Sequence, residues 1–165
     1  MKERLQAWGK AKVIHVVGAF VFNELGEVLL LQRHLDDLGG GQWSTPGGRV
    51  DPGEDADTAI VRELYEETSI RSVAIVMLGS HLIRMPHGTV YMTSYRTLVP
   101  NDTGVVVDPE EHQAYTWLNL ESLLDEDNII WGMPSILRDF GLIGNFDKDP
   151  TLADGSSVEL LESAK

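Results

Sequence analysis

The sequence predicts an α/β fold: a mixed sheet with helices on both of its faces. Three observations lead there. The chain opens on two stretches of strand composition, Lys12–Asn23 and Glu27–Gln32. A single long amphipathic helix, from about Asp55 to about Thr68, then interrupts the strands. Further strands and a short closing helix follow it, and that order needs helices on two sides of one sheet. At 165 residues the chain makes one domain with a sizeable core, and 42% hydrophobic with 24% charged content is ordinary for a globular protein.

Each element has its own reason. Met1 to about Lys12 is a polar lead-in with room for an amphipathic turn around Leu5–Trp8. Lys12–Asn23 is rich in Val, Ile and Phe, as a buried strand is. It lacks the small-residue cleavage site of a signal peptide, and a hairpin turn, Glu24-Leu25-Gly26, follows directly. Glu27–Gln32 carries the run Val28-Leu29-Leu30-Leu31, which implies burial on both faces. Leu35–Gly41 is a loop with three consecutive glycines. After the long helix come a strand over Ser72–Arg84, a turn at Pro86-His87-Gly88, a strand over Thr89–Val99 and short strands at Val105–Val107 and Ala114–Leu118. Leu120–Leu124 and Pro134–Phe140 have helix character. Residues 1–146 are read as the folded domain. Residues 147–165 form an acidic tail of weak periodicity, expected to be weakly ordered or loosely docked.

The long helix carries the chemistry. Ala56, Ala59, Ile60 and Leu64 give one apolar stripe, and Asp55 or Asp57 can cap the N-terminus. Glu63, Glu66 and Glu67 lie three and four residues apart, side by side on one face. They occupy the negative end of the helix dipole, where each acid costs roughly 0.3–1 kcal/mol. Arg62 can pair with Glu66 at i,i+4 but cannot neutralise three acids. A divalent cation can, and oxygen-only ligands suit Mg²⁺ or Mn²⁺.

Composition narrows the partners. The net charge of −13 disfavours nucleic-acid polymers, which need a basic face. No run approaches the ~18 apolar residues of a membrane span, so a cytoplasmic protein is expected. There is no Cys and hence no thiol ligand. All five Lys sit near the termini, and between Lys12 and Lys148 the only basic side chains are Arg. Of these, Arg33 and Arg49 are the candidates for phosphate contacts, since Arg recognises phosphate bidentately. The five His show no metal-ligand spacing, and no nucleophile elbow or Walker-type loop is present.

Around the helix, Gly48, Glu54, Arg62, Glu63, Leu64, Glu66, Glu67 and Ile70 reproduce a known spacing: Gly, five residues, Glu, seven residues, Arg-Glu-apolar-any-Glu-Glu-any-Gly-apolar. At roughly 7% frequency per letter, six fixed letters match by chance about once in ten million starts. The stretch resembles the Nudix box, and Trp43-x-x-Pro46-Gly47-Gly48 resembles its usual lead-in. One position departs: Ser69 stands where the family has Gly, and a left-handed helix exit there would cost Ser on the order of 1 kcal/mol.

The resemblance implies an αβα sandwich over roughly Lys12 to Phe140 and a metal-dependent hydrolase of a nucleoside diphosphate linked to another group. It implies that Glu63, Glu66 and Glu67 hold Mg²⁺ or Mn²⁺, with a backbone carbonyl near Gly47 or Gly48 as a further ligand. Arg62 would orient one of these carboxylates bidentately, and Glu54 would join the same network. Gly47 would let substrate approach closely. The general base is Glu66, Glu67 or a later carboxylate, of which Glu111 is preferred to Glu110. Trp43 is read as packing. A MutT-like (d)NTP pyrophosphatase leads; a nucleotide-sugar or ADP-ribose pyrophosphatase and a catalytically silent nucleotide-binding domain are the alternatives. A monomer or homodimer is expected.

Overall fold

The structure, a computed structural model, describes residues 13–71, 74–86 and 88–164. The expected lead-in turn at Leu5–Trp8 and the centre of the Pro86-His87-Gly88 turn lie outside the described residues. In chain order the elements are β1 (Val13–Phe22), β2 (Glu27–Arg33), β3 (Trp43–Ser44), β4 (Gly47–Arg49), α1 (Ala56–Thr68), β5 (Val76–Met85), β6 (Gly88–Leu98), β7 (His112–Asn119), α2 (Leu120–Leu123), α3 (Met133–Asp139) and β8 (Ser157–Ser163).

The strands form one mixed sheet in the order β3-β2-β1-β6-β5-β8, with β4 also on β1 and β7 on β2. β1 runs parallel to β6 along its whole length, and the other pairings are antiparallel. Alternation along β1 and β2 divides the core. Val17, Ala19, Val21, Leu29 and Leu31 face Ala59, Ile60 and Leu64 of α1. Phe20, Val28 and Leu30 face Leu123 of α2 and Met133, Ile136 and Leu137 of α3. The expected sheet with helices on both faces is therefore observed.

Both ends of α1 follow from its sequence. Asp55 caps it, accepting from the Thr58 N–H at 2.8 Å. Asp57 instead accepts from the Tyr95 hydroxyl at 2.7 Å, which ties the first turn to β6. Ser69 closes the helix at φ 60°, ψ 10°, the left-handed conformation for which Gly is the usual residue.

Three expectations are corrected. Val105–Val107 is not a strand: its backbone runs along the end of α1, where Val106 N–H donates to Thr68 O and Asp108 N–H to Glu67 O. These bonds satisfy helix-terminal carbonyls that would otherwise need water. The strand expected from Ser72 starts at Val76. The tail expected to be loosely docked supplies β8, which pairs antiparallel with β5. Between Ser80↔Glu162 and His81↔Leu160 the extra residue Leu161 bulges out, and this breaks the period of two that a sequence reading looks for.

Ser69→Gly is expected to stabilise the protein by about 1 kcal/mol, because Gly adopts this cap without strain. Urea denaturation reads this directly; an unchanged or lower midpoint would refute strain at the cap. His81 supports a pH prediction. It is fully buried on β5 with Nε2 3.2 Å from Asp139 Oδ2 and its ring edge-to-face on Phe140. Burial lowers its pKa; Asp139 opposes the shift and Arg138 adds to it. The unfolded chain then takes up a proton near pH 6.5 that the folded chain refuses. This contribution to stability is complete above that pH and is lost as the pH falls below it. His81→Gln should flatten the melting temperature between pH 7 and 5 relative to the wild type.

Candidate active site

The site grows from the carboxylate face of α1 and the Gly-rich loop before it. β4 pairs with β1 through Gly18↔Gly47, Val17↔Gly48 and Val16↔Arg49. This brings the Gly47 N–H to 2.7 Å from Glu67 Oε2 and the Gly48 Cα beside the Glu63 carboxylate.

Arg62 sits at the centre. Its Nε and Nη2 grip Glu54 bidentately, both at 2.9 Å. Nη1 donates to Glu63 at 2.8 Å and to Glu66 at 3.1 Å, and Nη2 also reaches the Arg49 carbonyl at 3.0 Å. The bidentate partner is thus Glu54, not one of the three α1 glutamates: Glu63 and Glu66 receive single contacts, and Glu67 accepts from the Gly47 N–H instead. The Arg62 hydrogen bonds, helped by the Asp51 N–H, hold Glu54 down at about 2. Glu54 does not line the cleft; it fixes the loop to the helix.

The α1 carboxylates differ in environment. Glu66 is 55% exposed at its side chain, Glu63 12% and Glu67 5%. Burial raises Glu63 despite its bond to Arg62. Burial pushes Glu67 well above the usual carboxylate range; the Gly47 N–H opposes this, and the charges of Glu63 and Glu111 add to it. Behind Glu67 stands His112 of β7, buried, with Nε2 3.8 Å from Glu67 Oε1. Burial first, then the charge of Arg33, holds His112 at about 4, so the imidazole is neutral at pH 7.

Glu63, Glu66, Glu67 and Glu111 surround one cleft of about 400 Å³, with Arg33, Arg49 and Arg62 also on its walls. Arg33 is braced by its Nε bond to the Leu38 carbonyl at 2.9 Å. Glu110 does not line the cleft, whereas Glu111 does. The donor set is all oxygen, the chemistry of a hard divalent cation. Among the described residues no three acidic or imidazole side chains converge as a ready-made cage. The reason is local: Glu63 and Glu66 are turned to Arg62, and Glu67 to the Gly47 N–H.

A second, apolar pocket of about 190 Å³ opens from the same place. It is walled by Phe20, Ile83, Met92, Ile130, Trp131 and Met133 among others, and it shares Val16, Arg33, Leu38, Gly47 and Gly48 with the cleft. Trp43 lines neither and packs in the α3-side core, as expected.

The family model described as NUDIX domain matches residues 13–140. The chain belongs to the Nudix family. It is a hydrolase of the kind that acts on pyrophosphate bonds, and Nudix domains generally use divalent metals such as Mg²⁺. It is 33% identical over 113 residues to the CTP pyrophosphohydrolase of Escherichia coli strain K12, a match covering 68% of this chain and 81% of that protein. It is 48% identical over 68 residues to an RNA pyrophosphohydrolase of Azorhizobium caulinodans, there covering 38% of each. Among solved structures, the MutT protein of Methanosarcina mazei Go1 superposes with a TM-score of 0.73 at 28% identity, covering 81% of this chain and 96% of that one.

Within the Nudix frame, the structure brings Arg33, Gly47, Gly48, Arg49, Arg62, Glu63, Glu66, Glu67 and Glu111 to one cleft and leaves Glu54 at its back. Sequence reasoning passed over His112, which sits in no metal-ligand spacing, and the Trp131–Met92 pocket, which is assembled from distant segments. The two box glycines separate structure from site. A Cβ on Gly47 would lie 2.1 Å from the Val17 carbonyl oxygen, and its φ of 153° disfavours a side chain. A Cβ on Gly48 would lie 2.5 Å from the Glu63 carboxylate and from nothing rigid as near. Gly47→Ala is therefore expected to cost about 1–3 kcal/mol in chemical denaturation. Gly48→Ala should lose less stability and displace Glu63, which Mg²⁺ titration by calorimetry will read as weakened uptake. Equal effects of the two substitutions on stability would refute this division.

Proposed function

We propose that the chain hydrolyses a nucleoside triphosphate, or its deoxy counterpart, to the monophosphate and pyrophosphate. One observation carries this reading: an acidic, Arg-walled cleft and an apolar, Trp-lined pocket share a wall at Val16, Arg33, Gly47 and Gly48. A polyphosphate with a flat apolar group at one end matches that pair. The relative that acts on CTP supports it.

Glu63, Glu66 and Glu67, with a backbone carbonyl of Gly47 or Gly48, would hold Mg²⁺ or Mn²⁺. The cation would neutralise phosphate oxygens and acidify a bound water. Arg33 and Arg49 orient the phosphates, and Gly47 keeps the wall low enough for them to approach. Glu111 accepts the proton of the attacking water, since it faces the cleft without being buried. Glu66, the most exposed of the α1 carboxylates, is the alternative base. Arg62 and Glu54 position these groups through the loop.

RNA ends are the weaker candidates, although RNA pyrophosphohydrolases are among the relatives. A polymer brings one phosphate per nucleotide past the site, and binding it needs Lys or Arg along the track. At net charge −13 this surface repels such a track beyond the cleft. A mononucleotide needs no basic track beyond the cleft, whose walls already carry Arg33 and Arg49.

Glu67→Gln should lower turnover by about 100-fold or more while the protein stays folded. The test is a panel of NTPs, dNTPs, nucleotide sugars, ADP-ribose, dinucleoside polyphosphates and triphosphorylated RNA with Mg²⁺, scored by product. Monophosphate and pyrophosphate from an NTP or dNTP support the proposal. Turnover confined to ADP-ribose or sugar nucleotides would replace it, and unchanged turnover in Glu67→Gln would remove the ligand assignment. No turnover with any of them would favour a silent binding domain.

A further inference from the structure

We propose that the segment after the matched family region is a clasp that positions the wall of the nucleoside pocket, with Asp149 and Thr151 as positioning residues. The inference rests on the pocket reading above. It starts from an anomaly in α3. This helix has Gly132 at its N-cap in a left-handed conformation, with no side chain to accept its free N–H groups. The cap comes instead from residues beyond the 13–140 match. Asp149, only 5% exposed, accepts from Ser135 N–H at 3.0 Å and from the Ser135 hydroxyl at 2.6 Å through Oδ2. Its Oδ1 accepts from Thr151 N–H at 2.9 Å and from the Thr151 hydroxyl at 2.6 Å. The Thr151 hydroxyl oxygen in turn accepts from Gly132 N–H at 2.7 Å.

One carboxylate and one hydroxyl thus hold the first turn of α3. Val158 of β8 closes the same place: a Cβ on Gly132 would meet its Cγ2 at 3.0 Å. β8 is itself fixed to the sheet through β5. The residues held this way matter to the pocket. Ile130, Trp131, Met133 and Ile136 form its outer wall, and they flank or belong to the clasped turn. None of the clasp residues lines the acidic cleft. The clasp therefore acts on nucleoside binding and leaves the phosphate chemistry alone.

The test uses the full chain with Thr151→Val, which removes one hydroxyl at constant shape, and Asp149→Ala, which removes the cap. Hydrogen exchange reads the clasp without any substrate. Amides of residues 132–139 should exchange about fivefold faster in the variants, with α1 unchanged. No change there would overturn the clasp. Steady-state kinetics on the nucleotide that the wild type hydrolyses reads the pocket: KM should rise about fivefold with kcat held within about twofold. A fall in kcat at constant KM would overturn the link to nucleoside binding. Trp fluorescence titration with AMP, GMP, CMP and UMP gives the same reading without turnover, so a wild type inactive on every nucleotide refutes the catalytic proposal and still leaves the clasp decided. Wild-type binding of none of the four monophosphates would overturn the pocket link itself. Should Asp149→Ala fail to fold, Thr151→Val decides alone.

Discussion

Every nitrogen of the Arg62 guanidinium is engaged, on Glu54, Glu63, Glu66 and the Arg49 carbonyl, and the cleft depends on that. Glu63, Glu66 and Glu67 crowd the last turns of α1, the helix end where acids are least welcome, and Glu111 joins them from the loop before β7. A planar fork can serve several oxygens at once from one fixed position, which a Lys ammonium on a flexible stem cannot. Because Arg62 reaches both the helix and the loop before it, the same contact that tempers the acids also sets the height of Gly47 and Gly48 above them. What it leaves uncompensated is Glu67. That side chain is buried with a peptide N–H and a neutral imidazole as its near neighbours, so a charge there gains most from a partner brought in with the substrate.

The sheet then divides the labour. Residues of β1 alternate between the α1 core and the α3 core, so one strand supports both chemistries. The acidic cleft sits where β4 pairs with β1, and the apolar pocket sits between β6, β5 and α3. Val16, Arg33, Leu38, Gly47 and Gly48 are where the two meet. On the apolar side Met92 Cε packs over Gly18, 2.4 Å from where a Cβ would stand.

How much of this could be read from the sequence depends on distance along the chain. Arg62, Glu63, Glu66 and Glu67 lie on one helix, so helical spacing brings them together, and Glu54 is only a short loop away. The buried run Val28–Leu31 declared its two-sided packing in the same way. Ser69 announced a strained helix exit, because an L-residue in the left-handed region is legible wherever Gly is the usual occupant. β8 was hidden by a bulged Leu161 that scrambles its alternation. Val105–Val107 looked like a strand because three consecutive Val favour one, yet the Val106 N–H bonds to a helix carbonyl rather than to a sheet, with Val105 and Val107 against the core and Val106 exposed. His112 and Trp131 have no local signature at all: each acquires its place from tertiary packing of a lone residue on a distant element.

The two helices that flank the site are held by opposite means, and this bears on how such a site can vary. α1 spans thirteen residues, is capped by its own Asp55, closed by its own Ser69 and stapled by Asp57 to Tyr95. α3 spans seven, too few to be stable from propensity alone, and begins at a Gly that caps nothing. Its order has to come from elsewhere, and the nearest donors and acceptors belong to a segment about fifteen residues on in the chain. The acidic face of α1 is therefore fixed by local sequence, while the α3 wall of the apolar pocket is held by contacts from further along the chain. Substitutions far from the pocket can move its wall without touching a single carboxylate of the cleft. A site built this way can change what it recognises while keeping how it reacts.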